Sequence, residues 1–381
     1  MTHDLVRELD RLRAHGPVGR AVVIEIRGSA PRAPGAMLLA TADGAFAGSL
    51  AGGCVEGAAV EAIADALRTG VPRVVTYGLD DPTGWSIGLA CGGAIRAFVE
   101  PGIRPEIAAF AASQRGGVVA TIVAVRRTGT TTALHAAERS IGASIAVDAE
   151  GRAGALLAPL RAPGDADAAT NAPATAVLAS VADAVRAAAA AALTDGTSRC
   201  VELTSPAGDL CEVFLEVVSP PPRLVVYGAT EIGAALVALA KVCGWRTVVA
   251  DARPAFLVAE RFPSADEIVR GWPEEVFAGL ALDAQTAVCV LTHDAKLDAP
   301  ALRAALASPA PYVGLIGSRK TQAARRADLR AAGVGDDAIA RIRGPVGLDL
   351  RGRSAADIAL AILAEITARR HGGTGRPLAE G

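Results

Sequence analysis

"GAMLLATADGAFAGSL" (residues 35–50) sets an Asp-Gly pair between two apolar runs, which reads as a β-hairpin turning at Asp43-Gly44. The same plan returns at 142–157, "GASIAVDAEGRAGALL", with Glu150-Gly151 at the turn. Each hairpin is followed by an alanine-rich helical stretch ending A-L-x-x-G-x-x-R, "ALRTGVPR" at 66–73 and "ALTDGTSR" at 192–199. Strand-like "VVTYG" and "CVELT" come next, and "AIRAFVEP" at 94–101 is echoed by "LCEVFLEV" at 210–217. Two copies of one mixed β-rich unit with a crossing helix, about 18–101 and 119–218, are expected to form a single domain of residues 1–218.

The copies differ where chemistry is expected. The first carries "GGCVEG" (52–57) before its helix, whereas the second has "APLRAPGDADAATNAPAT" without a cysteine. Aligned on Phe98 and Phe214, Cys91-Gly92-Gly93 faces Ala207-Gly208-Asp209, so the frame folds without either cysteine. Val55, Ala59, Ile63 and Leu67 suggest a helix starting at or just before Cys54. That start would favour the Cys54 thiolate, and Gly52 and Gly53 could turn free N–H groups toward an anion. The competing reading is a small hydrophobe packed at a glycine turn. Upstream, "RGSAPRAPG" is stiffened by Pro31 and Pro34 and offers Ser29 and Arg32 as donors to a phosphate or carboxylate. A solvated surface arginine is the alternative there.

A border is expected at Pro220–Pro222, beyond which "RLVVYG", a helix over 231–243, "RTVVAD", "TAVCVLT" and "YVGLIG" alternate strands with helices. This alternation predicts a Rossmann-like, doubly wound parallel sheet over 223–370, and residues 371–381 read as a disordered tail. The first turn places Gly228 and Gly233 at fingerprint positions, with Asp251 at the end of the second strand for a ribose hydroxyl. Thr230 stands where the fingerprint has its second glycine, and its side chain hinders a pyrophosphate. "LTHD" puts His293 at a later strand end, as acid, base or structural hydrogen-bonder. "GLIGSRKT" gathers Gly317, Ser318, Arg319 and Lys320 at a helix start, an arrangement suited to an anion.

With 38 Lys and Arg against 40 Asp and Glu, no net field draws the 381-residue chain to nucleic acid or an anionic membrane. The charged start "MTHDLVRELDRLRAHG" is unlike a signal peptide, and the six scattered cysteines form no CxxC pair. A cytoplasmic location with reduced thiols and no membrane span is expected.

In order along the chain, "GSAPRAPGA", "GCVEGAAVE", "YGLDDPTGWSIGLACGGAIRAFVEP", "DARPAFLVAERFP", "LTHDAKLD", "GLIGSRKT" and "GPVGLDL" resemble the xanthine dehydrogenase accessory family, XdhC/CoxI, over Val18 to Arg370. The resemblance implies a non-catalytic chaperone that binds molybdenum cofactor, in molybdopterin or dinucleotide form. It implies support for sulfuration with a cysteine desulfurase and delivery to a molybdenum hydroxylase client. Carried over, Gly52, Gly53, Cys54 and Glu56 form one cofactor-contacting segment, with Cys54 as the contact to molybdenum, and Cys91, Gly92 and Gly93 form a second. The cofactor is expected to be held by both domains, and a homodimer is counted among the partners. The family more often has Gly-Ala where this chain has Arg351-Gly352. The rival reading is an NAD(P)-dependent oxidoreductase using Asp251 and His293, and a third is a nucleotide-sensing interaction protein.

Overall fold

The computed structural model describes residues 2–28, 32–78, 92–113, 115–126, 139–160 and 171–380. Ser29 and Cys91 lie outside the described residues. The chain divides into two compact units, Met1–Pro220 and Pro221–Gly381.

The first unit opens with the helix Thr2–Arg13 (α1). Val18–Arg27 (β1), Met37–Thr41 (β2), Phe46–Gly48 (β3), the helix Glu56–Thr69 (α2), Arg73–Tyr77 (β4) and Ala94–Glu100 (β5) follow. The strands form an antiparallel sheet in the order β3-β2-β1-β5-β4. Past the helix Pro105–Ala112 (α3), the plan repeats with Gly117–Arg126 (β6), Ser144–Asp148 (β7) and Ala153–Leu157 (β8). Two helices, Asn171–Ser180 (α4) and Ala182–Asp195 (α5), then lead to Arg199–Thr204 (β9) and Leu210–Val218 (β10). This second sheet is also antiparallel, in the order β8-β7-β6-β10-β9.

The duplication extends to backbone detail. The β1–β5 register skips Ile24 and the β6–β10 register skips Val123, so both copies carry the same bulge. Gly70 and Gly196 end α2 and α5 in the left-handed conformation, their N–H groups donating to Ala66 and Ala192. The hairpin glycines Gly44 and Gly151 sit at φ 92° and 78°.

Strand alternation then decides the layers. Ala21, Val23, Ile95, Ala97 and Val99 face α2, and their counterparts on the second sheet face α4 and α5. The opposite faces meet each other through Val22, Ile24, Phe98, Val123 and Phe214, giving helix, sheet, sheet, helix. Into this buried layer the sequence inserts charge. Arg20, 1% exposed, donates to Glu100 at 2.5 Å and to Glu216 at 2.9 Å, and Arg104 reaches Glu100 at 3.4 Å. Glu100 and Glu216 are equivalent positions in the two copies, so one arginine fastens both halves.

The second unit comprises Arg223–Tyr227 (β11), Glu231–Val242 (α6), Arg246–Asp251 (β12), Glu267–Arg270 (β13), Pro273–Leu280 (α7) and Thr286–Val290 (β14). Ala295–Leu306 (α8), Tyr312–Leu315 (β15), Arg319–Ala331 (α9), Asp336–Ala340 (α10), Ile342–Arg343 (β16) and Ala355–His371 (α11) complete it. Its parallel sheet runs β13-β12-β11-β14-β15-β16, the Rossmann order, with the chain reversing direction across the β11–β14 boundary. Val225 and Tyr227 join the core on one face, and Leu224 and Val226 the core on the other, as a doubly wound sheet requires. The tail ends in a single 3-10 turn, Leu378–Glu380. Among the described residues no helix is long and apolar enough to cross a membrane.

Candidate functional site

Three segments singled out in the sequence leave the first sheet at one end. β1 finishes at Arg27 opposite Ala94, the first residue of β5, so the loops on either side of that pair share an edge. Gly28 lies against the other loop: a Cβ there would stand 3.4 Å from the Gly93 Cα and 3.9 Å from the Gly92 carbonyl oxygen. The loop that follows β3 starts at the same end, since the Ser49 N–H donates to Met37, the first residue of β2. Gly28, the Gly92-Gly93 pair and the Cys54 turn therefore border one end of the sheet.

The Cys54 turn is built around Glu56. One carboxylate oxygen accepts from the Ser49 hydroxyl at 2.6 Å and from the N–H groups of Leu50, Ala51 and Gly52 at 3.0, 3.0 and 3.1 Å. The other accepts from Gly53 at 2.8 Å and Val55 at 3.1 Å. Burial alone would push this carboxyl up, but the Ser49 hydroxyl and the backbone donors outweigh it and hold it at about 2. The expected free donors are thus corrected: Gly52 and Gly53 do turn their N–H groups inward, at φ 82° and 124°, but toward Glu56 and not toward an external anion. The helix start is corrected as well. Helical geometry begins at Glu56, with Val55 as its cap, because the preceding amides fold back onto the carboxylate. Cys54 is exposed, and it is the residue of this run whose amide is not committed to Glu56. Among the described residues no group of three or more His, Cys, Asp and Glu is placed to hold a metal ion.

In the Rossmann unit the turns after β11, β14 and β15 share the C-terminal edge of neighbouring strands. Gly228 is obligatory, because a Cβ would come within 2.7 Å of the Leu291 and Thr292 backbone. Gly233 packs its helix on the turn, a Cβ there meeting the Gly228 oxygen at 2.9 Å. Thr230 caps α6, its hydroxyl accepting from the Gly233 N–H at 3.1 Å. His293 is exposed and held in the left-handed region at φ 59°, a conformation that disfavours side chains. Behind it, the Thr292 hydroxyl donates to buried Asp298, which also accepts from Arg325 at 3.2 Å. Sequence reasoning missed this support, although an acid beside Leu297 on a core-facing helix turn is a readable signal. Past β15, Gly317 turns at φ 121° and Ser318 caps α9, leaving Arg319 and Lys320 exposed in its first turn.

Asp251 departs from its expected role. Its side chain is fully buried, one oxygen accepting from the Ala229 N–H at 2.8 Å and the Arg253 guanidinium at 2.8 Å. The other oxygen accepts from the Arg253 N–H and Nε, each at 2.9 Å. Burial raises the carboxyl, but Arg253 and the Ala229 amide outweigh that and keep it below the usual carboxylate range. The carboxylate is fully buried and already holds these four donors, so it is closed to a ribose hydroxyl. With Thr230 also in the way, calorimetric titration with NAD should give no saturable heat up to about 1 mM. A saturable isotherm would show that the Asp251–Arg253 pair opens for a nucleotide.

The chain belongs to the XdhC and CoxI family. Residues 11–78 match the model for that family, and residues 224–366 match the XdhC Rossmann domain. It is 25% identical over 349 residues to the molybdenum cofactor insertion chaperone PaoD of Escherichia coli (strain K12), covering 91% of this chain and 82% of PaoD. It is 29% identical over 158 residues, 42% of this chain, to a protein of Bacillus subtilis (strain 168) named as a probable xanthine dehydrogenase component. That match spans 46% of the relative, less than half its length. The fold corresponds to a crystal structure of a Bacillus halodurans protein described as a xanthine dehydrogenase, with a TM-score of 0.68 at 21% identity over 100% of this chain and 98% of that one.

Proposed function

We propose that the chain carries molybdenum cofactor as cargo for a molybdenum hydroxylase, supporting its sulfuration with a cysteine desulfurase before delivery. The observation that carries this reading is Cys54, exposed on a turn whose backbone is fixed by Glu56, at the sheet end bordered by the Gly28 and Gly92-Gly93 segments. PaoD, similar over most of this chain, is named for inserting the same cofactor. The cargo brings its own dithiolene ligands, so a carrier needs a soft thiol near the metal and no cage of side chains. An exposed thiol on a rigid turn meets that need, and the second copy of the repeat, without this cysteine, shows that the frame does not require it.

Cys54→Ser should therefore leave the thermal midpoint unchanged and lower the molybdenum bound to the purified protein by about tenfold, the effect of losing about 1.4 kcal/mol of binding. Molybdenum per chain, measured by plasma mass spectrometry, and a melting curve check the two halves of this statement. Wild-type molybdenum content in Cys54→Ser would overturn the assignment.

A further inference from the structure

Between the two sheets of the N-terminal unit lies a cavity of about 610 Å³, a volume within the range of small-molecule sites. It sits where the copies face each other. The register relates Arg27 to Arg126 and Arg96 to Glu212, and all four line it, beside the bulge residue Ile24. Equivalent positions thus carry opposite charges at its centre, and the duplication has been made asymmetric at that spot. Arg96 spans the cavity wall, donating to Glu25 at 2.6 Å and to both oxygens of Glu212 at 2.7 and 2.9 Å. Cys200 lines the same wall with its thiol toward the Ile24 carbonyl at 3.6 Å, and burial followed by Glu212 pushes that thiol up to about 12. It stays protonated at neutral pH and is no nucleophile.

The contrast with Asp251 decides what this wall can do. Asp251 is fully buried under four donors, whereas Glu25 accepts from Arg96 and Arg27, and Glu212 from two nitrogens of Arg96. A carboxylate accepts about four bonds, so each retains capacity. Both remain open to the cavity, at 32% and 15% exposure. Arginines stand at the rim: Arg27 is 62% and Arg126 70% exposed, each paired with one glutamate among the described residues. Four arginines (Arg27, Arg96, Arg126 and Arg199) line the cavity against three acids (Glu25, Glu202 and Glu212). Acceptors on the wall within a net positive lining match a ligand with adjacent N–H donors at one end and an anionic group at the other. An amino-pyrimidinone has that donor edge, and a carboxylate takes its ring N–H and amino group together, while guanidinium forks suit phosphate. Pro34 and Arg27, which bracket the loop of Arg32, also line the cavity, so it borders the sheet end already described.

We propose that this cavity binds the amino-pyrimidinone edge of the cargo, with Glu212 and Glu25 accepting from the ring and Arg27 and Arg126 facing its phosphate. The assignment rests on the reading of the chain as a molybdenum cofactor carrier. Pterin and guanine share the edge, so the source is separated by two probes, pterin-6-carboxylate and GMP.

Full-length protein titrated with pterin-6-carboxylate, followed by pterin fluorescence, is expected to saturate. Glu212→Gln and Glu25→Gln, each isosteric, should weaken binding by roughly tenfold, the scale of a lost charge-assisted bond, with the melting curve kept. Two variants guard against a folding defect in either one. GMP displacing the probe identifies a guanine of the dinucleotide form as a second occupant of the same site, and failure to displace it assigns the site to the pterin; both support the proposal. No saturation in the wild type, or wild-type affinity in both folded variants, overturns it. If molybdenum content then still depends on Cys54, the carrier function survives without this cavity. If probe binding behaves as expected but the wild type never carries molybdenum, the cavity stands and the carrier reading falls.

Discussion

Arg20→Met should destabilise the N-terminal unit by about 3–5 kcal/mol, the range for breaking a buried ion pair from one side. The charged groups it joins in the layer between the sheets are nearly inaccessible: Arg20 is 1%, Glu100 0% and Glu216 3% exposed. Methionine keeps the apolar stem but leaves two carboxylates in that layer with, among the described residues, Arg104 at 3.4 Å from Glu100 as the remaining cation paired with either. Over a unit of this size the change corresponds to roughly 10 °C in the melting midpoint. A pH signature separates this cause from simple loss of packing. Burial already pushes the Glu216 carboxyl up against the pull of Arg20. Without Arg20 the shift grows, and the folded state then binds more protons than the unfolded one. Stability of the variant therefore rises as pH falls, and its deficit against the wild type should be smaller at pH 5 than at pH 7. Adding Glu216→Gln to Arg20→Met should restore part of the loss by removing one of the stranded charges. Urea unfolding of the three proteins at both pH values checks this, and a deficit that does not change with pH would mean that the carboxylates are not what Arg20 neutralises.

Local features of the fold are readable from the sequence because local physics produces them. Asp43-Gly44 and Glu150-Gly151 turn their hairpins, Gly70 and Gly196 end their helices, and Gly228 fits a turn where a Cβ would collide with Leu291. The alternation of strand and helix after Pro222 is enough for a Rossmann-type sheet. What cannot be read is the partner of each polar group. Arg20 and Glu216 stand 196 residues apart, and Arg96 and Glu212 116, and no periodicity encodes which charge meets which across two sheets. Asp251 shows the same limit at short range. Its place at the end of β12 is legible, but an arginine two residues on takes its acceptor sites. For the candidate site the residues of the Cys54 turn are legible, and their roles are exchanged: the glycine amides serve Glu56, and the thiol is what the turn leaves outside.

Glu56→Gln follows from that exchange and should cost about 1–3 kcal/mol, the penalty for leaving the buried Val55 N–H without an acceptor. Glutamine keeps one oxygen for Leu50, Ala51 and Gly52, but its NH₂ would confront the N–H groups of Gly53 and Val55, donor against donor. The carboxyl reports the same bonds. Lowering it from 4.5 to about 2 on folding is worth about 1–2 kcal/mol at neutral pH once solvent screening at this surface turn is allowed for. The sign is that of a depressed acid: this stability is fully present above the unfolded value near 4.5 and is lost as pH falls toward 2. Wild-type urea curves taken stepwise from about pH 7 to about pH 2.5 should therefore lose a component below the unfolded value that Glu56→Gln lacks from the outset. Because the same bonds set the backbone under Cys54, the variant should also lose bound molybdenum while its thiol is intact, which Cys54→Ser cannot imitate. Equal stability of Glu56→Gln and wild type at neutral pH would show that the turn holds its shape without the carboxylate, and Cys54 would then need another source of rigidity.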